Sequence, residues 1–409
     1  MSDRTRALAP RMGVAFSTLL VVLAVAGNAL ERSVAQAKNP VQAPKFQVDP
    51  LWPKPLPNHW VLGSVTGVAV DSDDHIWIVH RGADSLSVLE KGAIQDPPTG
   101  CCVPAPQVLE FDRAGNLIGH WGGQGSGFDW PHSTGGIFVG PNGNVWIAAA
   151  GLAPATARGP GGPGAVQPNA PQDAQVVEFS GTGQFVLEIG QAGKPGGNDS
   201  TTGLDRPAGV SVDAGAKEVY VADGLGNRRV VVFDAATGAY KRHWGAYGGK
   251  PDDSPLGVYD PGRAPSQQFR EVTCAKIAKD GLVYVCDRQG NRIQVFHKDG
   301  KFVKETVVSK ATLGDGSVWD IAFSSDPRQR FLYVADGQNK KVWILDRSTL
   351  DVISSFGDGG RYPGLFYGVG SIAVDSAGNV YTGETYEGKR VQKFAYQGLA
   401  AAGQNGSTR

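Results

Sequence analysis

Beyond an apolar leader, the chain repeats one arrangement of hydrophobic and polar positions. An apolar strand passes through a polar turn into a second strand, which carries an aromatic and ends in an acid. A turn rich in Gly and Asn follows, and then a third strand. The clearest second strands are Val219-Tyr220-Val221-Ala222-Asp223, Val283-Tyr284-Val285-Cys286-Asp287 and Leu332-Tyr333-Val334-Ala335-Asp336. Their third strands run from Arg229 to Asp234, Arg292 to His297 and Lys341 to Asp346. Fainter copies are Ile76-Trp77-Ile78-Val79-His80, Val145-Trp146-Ile147-Ala148-Ala149 and Val380-Tyr381-Thr382-Gly383-Glu384. Large apolar residues alternate with small or polar ones, the period of a β-strand, and no later stretch sustains a helical period. Six copies of one supersecondary unit predict an all-β, six-bladed β-propeller.

Counting strands says how the ring closes. Fourth strands are predicted at Leu117 to Gly122, Gln184 to Gly190, Tyr240 to Gly245, Phe302 to Val308 and Val352 to Gly357. The sixth blade stops after Arg390 to Tyr396, and its missing strand is expected from Phe46-Gln47-Val48-Asp49. That pairing leaves no open edge in the ring. The propeller is thus expected over residues 38–397, with a flexible tail over 398–409. Long insertions (Glu90 to Pro106, Gly151 to Ala174, Gly245 to Phe269) fall on the face where strand one begins and strand two ends. Loops gathered on one face of a rigid scaffold mark the expected binding face. The Gly151–Ala174 stretch reads as a lid or as a disordered segment, and its composition favours disorder.

Composition adds the setting. Arg4, Arg6 and Arg11 precede an uncharged apolar run from Met12 to Gly27, and Ala35-Gln36-Ala37 offers a cleavage site, so residues 1–37 read as a signal peptide. An uncleaved membrane anchor is the alternative. After cleavage a secreted or periplasmic monomer is expected. In an oxidising compartment Cys274 and Cys286, placed symmetrically about Lys279-Asp280-Gly281, could bridge a hairpin. Adjacent Cys101 and Cys102 could bond to each other or remain thiols. With 39 basic and 39 acidic residues the formal charge is zero, which argues against nucleic acid or an anionic membrane as partner.

Ala222-Asp223-Gly224-Leu225-Gly226-Asn227-Arg228-Arg229 and Ile78-Val79-His80-Arg81-Gly82 resemble motifs of the peptidylglycine (peptidyl-α-hydroxyglycine) amidating lyases, which are NHL-repeat propellers. The resemblance spans essentially the whole mature chain. It implies zinc held by three histidines, one before the first strand of each of three blades, with an arginine from His-Arg-Gly and a tyrosine completing the site. Arg81 matches that arginine. The histidine positions fall at Gly135, Thr273 and Gly370, and the tyrosine position at Leu225. His132 lies outside the aligned slot. No metal ligand is therefore assigned, and neither zinc nor calcium is supported as a cofactor.

The same register defines the mouth. Thr66, Gly135, Ala208, Thr273, Trp319 and Gly370 precede the first-strand triplets, while His80, Ala149, Asp223, Asp287, Asp336 and Glu384 end the second strands. Arg81 is the first choice for gripping a carboxylate. His80 reads as a general base or a turn cap, and Glu384 and His132 as further catalytic candidates. Thr66, Thr273, Trp319 and Tyr367 are candidate ligand contacts. So are Asp223, Asp287 and Asp336, although each can equally cap a turn. The expected function is zinc-independent lyase or hydrolase chemistry on a small organic molecule at the central mouth. The alternatives are a non-catalytic ligand- or protein-binding propeller and a true zinc-dependent amidating lyase.

Overall fold

In a computed structural model, residues 41–151 and 172–402 are described. The expected signal peptide (1–37) and most of the Gly151–Ala174 insertion lie outside them. Six four-stranded sheets form the ring. The first blade is Val65–Val70, Ile76–His80, Val108–Phe111 and Leu117–Trp121. The next four follow the predicted strands closely: fourth strands are found at Phe185–Gly190, Tyr240–Trp244, Phe302–Val307 and Val352–Phe356.

In the sixth blade the strand Gln42–Asp49 lies outside Arg390–Ala401, which pairs with Val380–Glu384 and then Val369–Val374. The N-terminal strand therefore closes the last blade, as its missing fourth strand required. Phe46 ties this strand to the fifth blade, with ring centroids 5.6 Å from Tyr333 and 5.0 Å from Phe356. The third strand runs to Ala401, so Gly398 to Ala401 extend it rather than belong to the tail.

Every second strand is buried along its whole length. The cause is stacking, since both faces of a blade pack against neighbours, and the buried side chains fall into six clusters, one per blade interface. Each fully buried Val or Ile there contributes about 1.5–3 kcal/mol relative to exposure. The helical content among the described residues is four short 3-10 turns. Three lie in the 82–94 segment, where Trp60–Val61 also pairs in parallel with Val103–Pro104.

Cys274 and Cys286 face each other across their ladder and are bonded, and Cys101 is bonded to Cys102. Two disulfides fit an extracellular or periplasmic protein. No helix among the described residues is long and apolar enough to cross a membrane.

Candidate functional site

The innermost strands start at the ring's axis, and their first residues surround a cavity of about 830 Å³, open mouth included. Thr66, Gly135, Ala208, Thr273, Trp319 and Gly370 all line it. A Cβ at Gly135 would lie 2.7 Å from the Ala208 carbonyl oxygen, so the approach of two blades forbids any side chain there. The wall is rich in hydroxyls. Thr273 Oγ1 donates to the Trp319 carbonyl at 2.8 Å, and the Thr66 and Thr134 hydroxyls lie 3.0 Å apart. A hydroxyl whose proton is committed to a carbonyl turns its lone pairs outward as an acceptor. Ser371 lines the same space with a buried Oγ that has no partner.

Two guanidinium groups look into this cavity, from Arg81 and Arg288. Arg288 is built in firmly: its Nε and Nη2 donate to Glu271 at 2.8 and 2.7 Å. Its guanidinium also stacks 4.6 Å from the centre of the Trp319 ring, while the Trp319 indole N–H donates to Gly316 O at 2.7 Å. Burial pushes the Glu271 carboxyl above its usual range, and Arg288 draws it back down. Arg81 is held differently. Its Nε is buried without any hydrogen-bond partner. Burial lowers the pKa of its guanidinium, the Tyr386 phenol opposes that shift, and the positive Arg288 adds to it. A buried donor left unpaired costs about 1–3 kcal/mol.

Deeper on the axis, Lys276 Nζ donates to Asp320 at 2.7 Å and to the Ile321 carbonyl at 2.6 Å. This pair floors the cavity, and Lys276 also borders an apolar cavity on the opposite face. At the rim, the Tyr386 hydroxyl donates to Asp315 at 2.9 Å, and its ring meets Trp319 edge-on at 6.1 Å. Burial first, then the bond to Asp315, raises the pKa of the phenol.

Several predicted residues are placed away from this space. His80 is wholly buried and has both ring nitrogens engaged. Nδ1 accepts from the backbone N–H of Gly63 and Gly82 at 3.1 and 3.0 Å, so the Nε2–H donates to Pro106 O at 2.9 Å. Burial pushes its pKa down to about 4. A neutral ring with no free nitrogen cannot serve as a general base. It holds the backbone on either side of Arg81 instead.

The second-strand acids are consumed in a recurring clasp. Asp223 pairs with buried Arg229, Asp287 with Arg292, and Glu384 with Arg390. In each, the acid accepts N–H groups of the incoming inter-blade segment: Asp205, Arg270 with Glu271, and Tyr367 with Gly368. The arginine in turn donates to carbonyls of that segment, such as Gly203, Gln268 and Leu365. Asp336 accepts from Asn339 and from the Trp343 indole at 2.7 and 2.8 Å. None of the four borders the central cavity, because the last residue of a second strand points between blades. In four blades the residue after it (Arg81, Ala150, Arg288 or Thr385) lines the cavity.

His132 is exposed, and its backbone N–H donates to Asp173 at 3.0 Å. Tyr367 packs under Arg361, 4.5 Å from its ring centre, outside the cavity. Sequence reasoning passed over Arg288, although a signal existed: it follows Asp287 as Arg81 follows His80.

With this geometry in place, comparison with known proteins is informative. No family model matches the chain. The Xenopus laevis peptidyl-glycine alpha-amidating monooxygenase B is 25% identical over 347 residues, which cover 82% of this chain and 34% of that protein. The mouse NHL repeat-containing protein 3 is 25% identical over 320 residues, covering 76% and 71%. The chain is similar to NHL-repeat propellers of the amidating type. It spans about a third of the length of the amidating monooxygenase it matches. A streptogramin B lyase structure aligns with a TM-score of 0.48 at 10% identity, covering 87% of this chain and 98% of that one.

The resemblance raises the question of zinc, and the donor set answers it. Gly135, Thr273 and Gly370, the positions matching the amidating lyases' histidines, all line the cavity but offer one hydroxyl between them. Leu225, at the tyrosine position, lines it as well. These residues do not fit a zinc ion. Asp71, His75 and Glu110 do bring ligand atoms within 4.8 Å of one another. That group lies at the far end of the first blade, where His75 Nδ1 is 2.9 Å from Glu110 and the Trp77 indole donates to Asp71 at 2.8 Å.

Proposed function

We propose that this is an exported propeller that binds a small organic anion at its central mouth without a metal cofactor. The observation that carries the reading is Arg81, which lines the cavity and whose buried Nε has no partner. The ion pairs within the cavity, Arg288 with Glu271 and Lys276 with Asp320, balance themselves, which leaves Arg81 as the uncompensated charge. A carboxylate can take two parallel N–H bonds from such a group. The Thr66, Thr273 and Ser371 hydroxyls then offer hydrogen bonds to polar atoms on the rest of the ligand. Calorimetric titration of the purified protein with acetate and glycolate tests this, using Arg81→Met as the comparison. Equal affinity in wild type and Arg81→Met would sink it.

Tyr386 favours a second reading, in which the bound molecule is turned over by zinc-independent lyase or hydrolase chemistry. Its phenol lies within electrostatic reach of both Arg81 and Arg288 and is protonated at neutral pH, as a proton donor must be. Small amides, hydroxy acids and lactones should be screened for turnover with and without chelator. On this reading Tyr386→Phe abolishes turnover while leaving binding intact, and turnover that survives the substitution rules it out.

A further inference from the structure

We propose that the ligand is a monoacid with an extended apolar chain, which leaves the central cavity past Arg81 and lies in a groove beneath the 82–107 segment. This rests on the reading that an anion binds Arg81.

Arg81 borders two spaces, the central cavity and a surface groove lined by Trp60, Pro104, Ala105, Pro106, Gln107 and Gly122. A group held at its guanidinium would therefore sit beside both, and a chain attached to it would reach the groove by passing this one side chain. The groove is preformed. Trp60 and Val61 pair in parallel with Val103 and Pro104, the His80 ring donates to Pro106 O, and the His80 N–H donates to Gln107 O at 3.0 Å. Trp60, Pro104, Ala105 and Pro106 form the apolar side of the groove, and fixed walls spare the ligand an ordering cost. Gly122 keeps the groove open: it has φ of 123°, and a Cβ there would already press on Gln107 and Trp130 at 3.2 Å.

Charge sets the other limit. Asp84 is exposed on the groove's edge and repels a second carboxylate. The groove thus selects a monoacid over a diacid of equal length.

Calorimetric titration with acetate, butanoate, hexanoate and the diacid adipate tests the proposal. In a groove open on one side, roughly twofold per CH₂ is expected, half or less of what full burial would give. Hexanoate, with four more CH₂ groups, should then bind about 16-fold more tightly than acetate, with adipate no tighter than acetate. Trp60→Ala should reduce the hexanoate advantage to under threefold and leave acetate affinity unchanged. Trp60→Phe, with a thermal midpoint near wild type, should retain most of it and guards against misfolding. Acetate binding with no gain along the series overturns the groove alone. So does a gain that Trp60→Ala leaves intact, or adipate binding as tightly as hexanoate. If no member binds, the anion site itself fails, and the groove fails with it.

Discussion

Replacing Arg81 by Met should make the protein more stable while removing its ligand binding. An arginine kept for structure has its donors satisfied by the fold, and losing it leaves acceptors unpaired. Arg81 has no such acceptors: its Nε is buried and unpartnered, and its charge sits near Arg288. Removing one unsatisfied buried donor recovers about 1–3 kcal/mol. Methionine keeps most of the apolar stem, so little packing is lost. Some of the guanidinium is solvated through the open mouth, which lowers the expected gain to about 1–2 kcal/mol. Urea unfolding followed by tryptophan fluorescence should show this as a midpoint raised by roughly 0.5 M, for a slope of about 3 kcal/mol/M. A gain in stability together with lost function is the mark of a side chain kept strained for binding. If Arg81→Met lowers the midpoint instead, Arg81 is a structural residue and the functional argument collapses.

Other outcomes follow from the same geometry. His80 has a native pKa of about 4 against about 6.5 unfolded, so the unfolded state takes up a proton first as pH falls. Its stabilising share is complete above pH 6.5 and declines toward pH 4, by about 3 kcal/mol in all. His80→Gln should remove that part of the pH slope in urea melts at pH 7, 6, 5 and 4.5; parallel slopes would show that His80 is not the titrating group. Asp287→Ala leaves the buried Arg292 without its carboxylate and should cost about 3–5 kcal/mol. Ligand affinity per folded molecule should be unchanged, and a specific loss of affinity would return Asp287 to the site. Cys101 is exposed, whereas Cys274 and Cys286 are 3% and 0% exposed. Mild thiol reductant followed by alkylation should label Cys101 and Cys102 first in native protein, and prior labelling of Cys274 would contradict that order.

The blade architecture could be read from the sequence because its determinants are local. Alternation within Val283–Asp287 and its counterparts states the strand, and the absent fourth strand after Arg390 states the closure. Both follow from hydrogen-bond bookkeeping that admits few solutions. The site was harder because register fixes position but not direction. The first-strand positions Thr66, Thr273 and Trp319 reach the axis because nothing lies inside them. The second-strand ends needed one further fact: the backbone there is clasped from outside, so the acids that resembled ligand groups point between blades. Asp223, Asp287 and Glu384 each found an arginine five or six positions on, at Arg229, Arg292 and Arg390, a spacing visible in the sequence but mute without the fold.

His80 belongs to the same logic. In the first blade it takes the place of the clasp acid, since a neutral ring accepts two N–H bonds and donates a third. In the second blade the equivalent position is Ala149, and Asp173 supplies the carboxylate from across the insertion, accepting from His132, Ser133 and Gly151. In four of the six blades the residue one step past the clasp lines the cavity. That offset separates Arg81 and Arg288 from His80 and Asp287 beside them. It also explains why Arg288, which looks ordinary in the sequence, faces the cavity as Arg81 does.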